Sequence, residues 1–481
     1  MSLTIIGAIL SLVISFYFIK DMLIIKKKKL LHLCYFFVPF SGVSLFNIPA
    51  IMFYVLPFTL TVAVWILSEL LFALRKKSDM SINLNNAALI LFLIFLIAVL
   101  LSSFAPIFIN WSDGYMGAND DSNKYFPIKL SSIHLLQLCY IFGGVLFSIF
   151  VIGNLNTVGK IEVILRVVII SGVITCIIGI VELAAFYLGL DYNTGWYHTV
   201  PTGSADAKGI RIDGLLGIAR INSVSYETSN FAQHILVVHA FIYYCRAKKI
   251  VIFSKRKDKM VSFLTGFSLL ACISSTAIFG LAFINVMYWA ISSWTVKKFF
   301  SFFVGMSFLT VVLYLVYTQV AIFASIADAF ALDKFSGGSA ISRFSSIVNA
   351  YDIFLRHPII GVGIGVLPAT DLVVMLLSGI GIFGFMIFLL LVLVIIFNGS
   401  RKSITTNAVL DLNINARKYS FYRFSVITNA LTFSLVVLLF IYQGTGFAFR
   451  FGDFWALSAL VVSCYLVRER VASDYLATLH K

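Results

Sequence analysis

Residues 372–397 read LVVMLLSGIGIFGFMIFLLLVLVIIF, a run without one charged side chain. A helix of about 20 apolar residues crosses the hydrocarbon core of a bilayer, and this stretch exceeds that length. Comparable runs recur at about 3–19, 30–46, 50–72, 87–104, 131–152, 161–189, 230–245, 260–273, 276–294, 299–322, 424–442 and 454–467. They are continuous and do not alternate as the ~10-residue strands of a membrane barrel do. With 60% hydrophobic and only 12% charged residues, and a mean hydropathy of +0.99, the 481-residue chain falls outside the soluble class. The expected fold is all-α: a polytopic integral membrane protein with about 12–13 transmembrane helices and a large, partly helical periplasmic loop. The N-terminus lacks a basic stretch before its apolar run and is expected to be a retained first helix.

The net charge of +15 does not point to nucleic acid. Its sources are clusters such as Lys26–Lys29, Arg75–Lys77, Arg246–Lys259, Arg401-Lys402, Arg417-Lys418 and Arg468–Arg470, each at the end of an apolar span. That is the positive-inside pattern of cytoplasmic loops facing anionic lipid headgroups. Placing every cluster in the cytoplasm gives one consistent alternation, with the N-terminus outside and the C-terminus inside. Segments 260–273 and 276–294, split at Ser274-Ser275, then read as a hairpin. The six cysteines lie in or beside apolar spans without a Cys-x-x-Cys pair, so neither a disulfide framework nor a zinc site is expected.

This alternation sets three long loops on the outer face: 105–130, 190–229 and 323–371. The chain divides into N-terminal helices (1–190), a loop (191–229), central helices (230–322), a second loop (323–371), and C-terminal helices with a cytoplasmic tail (372–481). The chemistry gathers in the two later loops. In the last, Ser342-Arg343-Phe344 opens a helical pattern that closes at Arg356-His357-Pro358, followed by Gly361, Gly363 and Gly365. Arginine forks and free backbone amides suit phosphate oxygens, and a histidine near neutrality suits general base work. Basic residues followed by Pro and Gly are equally an ordinary helix stop, and the pattern alone leaves both readings open.

In the earlier loop, Arg220 and Glu227 stand seven residues apart where loop becomes membrane helix. If the intervening residues are helical, the two share a face. Arg211 and Asp213 nearby read as solvated charges. Glu182 lies inside an apolar span, which makes it a functional candidate, whereas His234 and His239 read as packed or hydrogen-bonded helix residues. No Asp-x-Asp, His-x-His or His-Glu-x-x-His occurs, so no metal is expected.

The segment from Arg220 through Glu227 to Ala232, and the arginine, His-Pro and Gly-x-Gly order of Arg343, His357-Pro358 and Gly361-Val362-Gly363, together resemble the bacterial O-antigen polymerases and ligases. Gly379-Ile380-Gly381-Ile382-Phe383-Gly384 is similar to the glycine-patterned helix that leaves their periplasmic loop. These motifs cover residues 211–397. The chain departs from the pattern at Ser274-Ser275-Thr276-Ala277, where relatives often carry Ser-Arg, and at Gly379, where some carry an acid.

The resemblance implies a glycosyltransferase of the bacterial cytoplasmic (inner) membrane, active on its periplasmic face. Donor and acceptor are oligosaccharides linked to undecaprenyl pyrophosphate, with membrane lipids and a chain-length regulator protein as further partners and no nucleic acid. The donor carries its own activation, so no cofactor, ATP or nucleotide sugar is needed. Arg220, Arg343 and Arg211 are expected to hold the pyrophosphate, and His357 or Glu227 to take the acceptor proton. A repeat-unit polymerase is the favoured form; a ligase acting on lipid A-core is the alternative, and a secondary transporter or flippase the reading from another class.

Overall fold

The computed structural model describes residues 2–3, 5–23, 29–48, 53–74, 86–108, 114–116, 125–130, 132–190, 211–212, 219–225, 227–291, 338–364, 369–400, 415–444 and 452–479. The expected span at 299–322, Gly365 and Trp111-Ser112-Asp113 fall outside them. In chain order the helices are α1 (Ile5–Leu23), α2 (Lys29–Phe36), α3 (Pro57–Leu74), α4 (Ala87–Phe104), α5 (Ser132–Asn154), α6 (Val158–Tyr187), α7 (Thr228–Ala247), α8 (Lys255–Ala271), α9 (Ser275–Ile291), α10 (Gly338–Arg356), α11 (Leu372–Ser400), α12 (Asn415–Tyr442) and α13 (Asp453–Leu479). The described strands are two or three residues long and pair antiparallel in small ribbons. The protein is predominantly α-helical, and six of the described helices are long and apolar enough to cross a membrane.

Those helices are apolar on both sides, which separates them from surface helices of a soluble bundle. On α4, Phe92, Phe95 and Val99 are buried while Ile90, Ile97 and Leu101 are exposed. Caps set where several helices begin. Asn86 accepts the Ala88 amide at the start of α4, Thr157 the Lys160 amide at α6, and Ser254 the Lys257 amide at α8. The core is aromatic: Trp65, Phe58 and Tyr35 surround Phe147, and Phe454 lies edge-on to Trp455. Gly144 gives the Trp455 indole its place, since a Cβ there would overlap the ring.

Side-chain contacts fix which helix ends lie together. Arg423 of α12 pairs with Glu162 at the start of α6 and reaches the Val251 carbonyl beyond α7. Lys160 Nζ reaches the Asn154 carbonyl at the end of α5. The opposite end therefore holds the starts of α5 and α7 and the end of α6. Helices α8 and α9 form a hairpin against α7: His239 meets Thr265 on the way out, while Tyr243 meets Asn285 on the way back. The reversal occurs at Ile273, with φ +48°.

One expected span is not a span. The 30–46 run is helical only to Phe36, with irregular chain from Phe37 to Leu45 and a strand at Phe46–Ile48. Non-helical backbone at depth persists only where protein groups satisfy it. Ser171 Oγ of α6 donates to the Phe36 carbonyl, Ser225 Oγ donates to the Pro39 carbonyl at 3.1 Å, and the Gly42 amide donates to the Val224 carbonyl at 2.9 Å.

A second break is stabilised the same way. Helix α11 opens at Gly381, whose φ is +64°, and the chain after α10 docks across the opening. Val362 N donates to the Ser378 carbonyl at 2.9 Å, Gly363 N to the Gly379 carbonyl at 2.8 Å, and Ile382 N to the Pro358 carbonyl at 2.8 Å. Gly361, at φ +74°, and Gly381 sit where a Cβ would strike backbone atoms of the facing segment. Replacing Gly381 with Ala should cost about 2 kcal/mol or more through strain and overlap. A fall in the melting temperature of the detergent-solubilised variant checks this, with Gly143→Ala, which meets open space, as the control.

Candidate functional site

Two short strands carry the first pair of arginines. Residues Arg211–Ile212 pair antiparallel with Ala219–Arg220, and Arg211 stands opposite Arg220 in the register. Arg211, which reads as a solvated charge in the sequence, is thus a cross-strand neighbour of Arg220. Arg220 is half-buried, and its charge is close enough to Cys272, at the α8–α9 reversal, for the two groups to interact. The Ser274-Ser275 break therefore belongs to the surroundings of Arg220.

Beyond Arg220 the chain is not helical, so Arg220 and Glu227 do not share a helical face. Residues Asn222–Ser225 form a turn, with Ser225 N donating to the Asn222 carbonyl at 3.1 Å and Ser223 at φ +52°. Tertiary bonds hold this shape against helix propensity. Ser223 N donates to Glu182 Oε2 at 2.8 Å, Ser223 Oγ donates to the Thr175 carbonyl at 2.7 Å, and Thr228 Oγ1 bonds Asn222 Oδ1. Glu227 is the extended N-cap residue of α7, half-buried, and accepts from Ser229 Oγ at 3.4 Å. A carboxylate at a helix N-terminus is electrostatically favoured there.

The other proposed residues ride on α10. Arg343 is exposed near its start and His357 half-buried just past its end. They stand fourteen positions apart, about 21 Å at the helical rise. Arg356 pairs with Asp352 at 2.7 Å on the outer surface, so it is an ordinary helix-surface ion pair. Among the described residues of the glycine turn, the amides of Gly361, Val362 and Gly363 are already bonded and so do not form the anion nest expected. Gly361 N donates to the His357 carbonyl, and the Val362 and Gly363 amides are taken by α11. His134, at the start of α5, lies against the same turn, its Nε2 3.3 Å from the Val362 carbonyl.

The glycine turn and the Asn222–Ser225 turn lie at the same end of the bundle. A Cβ on Gly363 would meet Ser102, near the end of α4, and His134 at the start of α5 reaches the Val362 carbonyl, while the Asn222–Ser225 turn precedes the start of α7.

The structure adds a pair that the sequence does not reveal. His234 Nδ1 lies 2.9 Å from Asp453 Oδ1, and both side chains are buried. The contact ties α7 to the first residue of α13 across 219 positions. The hydroxyls of Ser223 and Ser225, which fasten the turn, likewise carry no sequence signal beyond their type. Among the described residues, no three His, Cys, Asp or Glu side chains converge to hold a metal.

Neither a family model nor a curated protein matches the chain. Removing one partner of a buried hydrogen bond commonly costs about 1–3 kcal/mol. Asp453→Ala should therefore lower the melting temperature strongly, and Asp453→Asn, which retains an acceptor for His234, should lower it less; equal losses would remove the pair from the stability account.

Proposed function

We propose that this protein is a metal-independent glycosyltransferase acting on polyprenyl-pyrophosphate substrates, in the form of a surface-polysaccharide repeat-unit polymerase. The observation that supports it most is the register of Arg211 against Arg220, at the bundle end where Glu227 caps α7. Two arginines at one cross-strand position suit an anion with several oxygens, since a pyrophosphate can accept from two guanidinium forks.

In the reaction, an acceptor hydroxyl attacks the anomeric carbon of the donor glycan. The bond from that carbon to the pyrophosphate oxygen breaks, and undecaprenyl pyrophosphate leaves with the electron pair. Single displacement inverts the anomeric centre. Arg211 and Arg220 offset the charge that develops on the leaving group. The acceptor proton goes to Glu227 or His357. The length of α10 means that one pyrophosphate does not contact both Arg343 and His357. With Glu227 as the base, Arg343 binds the donor pyrophosphate and His357 meets a more distant part of the glycan; with His357 as the base, Arg343 binds the pyrophosphate of the second lipid-linked substrate. The partners that this reading implies are the lipid-linked donor and acceptor and the bilayer on the periplasmic side of the inner membrane.

Purified protein in proteoliposomes, supplied with lipid-linked repeat units alone, should build a ladder of polymer. Arg220→Ala and Arg343→Ala should each reduce the rate about 10²-fold, the scale for loss of one contact to developing charge. Ladders of normal length and rate in both variants would sink the assignment. Transfer to lipid A-core without polymer would instead identify a ligase.

A further inference from the structure

Glu182 is a buried carboxylate on α6, 2% exposed, in a segment apolar enough to cross a membrane. Such a group is costly unless hydrogen-bonded, and it is kept where it has work to do. Its acceptor oxygen takes the amide of Ser223. Thr175, Gly179 and Glu182 lie at i, i+4 and i+7, hence on one face of α6. The Thr175 carbonyl receives the Ser223 hydroxyl. Gly179 leaves the space that the Ile221 side chain fills, where a Cβ would collide. This face is therefore a socket for Ile221–Ser223, and Ser223 is held from two points in a left-handed conformation that a non-glycine residue adopts only at a cost.

Arg220 immediately precedes the socketed residues and Glu227 follows them by one turn of chain. We infer that Glu182 is a positioning residue: through the Ser223 amide it sets where Arg220 and Glu227 meet a phosphate-bearing substrate. It touches no substrate itself. The link to catalysis rests on the proposed glycosyl transfer, while the positional role of the carboxylate does not.

Two measurements on the full-length protein test this. In amide hydrogen exchange, Glu182→Ala should speed exchange of the 219–228 segment about tenfold or more by freeing a local opening, with α11 and α13 unchanged. Glu182→Gln keeps a carbonyl oxygen in place and should leave exchange near wild type. In the proteoliposome assay, Glu182→Ala should lower kcat/KM about 10²-fold, the cost of an ångström-scale misplacement, and Glu182→Gln should restore it. If the alanine variant does not fold, Glu182→Asp, which retains charge but loses reach, takes its place. Gly179→Ala, which displaces Ile221, should mimic the loss. Unchanged exchange in Glu182→Ala would overturn the inference, and so would a Glu182→Gln variant as impaired as the alanine. If exchange responds as stated but the wild-type protein builds no polymer, the glycosyl-transfer reading fails and the positional role stands.

Discussion

Away from water, every backbone amide and carbonyl needs a partner inside the protein. Regular helices meet this demand by themselves, and most of this chain is helical for that reason. Among the described residues, three irregular segments show what else can meet it. Residues Phe36–Leu45 are served by the Ser171 hydroxyl of α6, the Ser225 hydroxyl and the Val224 carbonyl, which accepts from the Gly42 amide. The 222–225 turn is served by Glu182 and Thr175. The chain from Pro358 to Gly363 and the opening in α11 serve each other. Much of the proposed chemistry flanks two of these segments: Arg220 and Glu227 stand on either side of the 222–225 turn, and His357 immediately precedes the strip from Pro358 to Gly363.

Hydropathy made the membrane class and most helices legible. The runs at 87–104, 161–189 and 372–397 correspond closely to α4, α6 and α11. It failed at 30–46 because composition cannot tell a continuous helix from an apolar chain whose polar groups are satisfied by neighbours distant in sequence. The hairpin at 260–294 was legible from its polar Ser274-Ser275 break and the basic residues flanking it. The glycines at 361, 363, 379 and 381 announced close approach of backbone. Which backbones approach, and that the approach consumes the amides, required the tertiary structure.

The candidate site was legible as residue types and not as geometry. Arginines, a histidine and a glutamate between apolar runs were visible in the sequence. Their arrangement was not, because Arg220 and Glu227 were separated by a turn imposed from α6, and Arg343 and His357 by the length of α10. Like the His234–Asp453 pair, the Arg211–Arg220 register is set by folding across residues that carry no periodic signal.

The docking of Pro358–Gly363 across the opening in α11 also has a mechanical side. A helix interrupted at Gly381 would bend freely there, since its hydrogen-bond ladder is cut. The docked strip bonds to residues on both sides of the cut, at Ser378 and Gly379 before it and Ile382 after it, and so acts as a splint. Because the same strip is the direct continuation of α10, tilting α10 loads the splint. The bend of a membrane-length helix is thereby coupled to the position of the rod that carries Arg343.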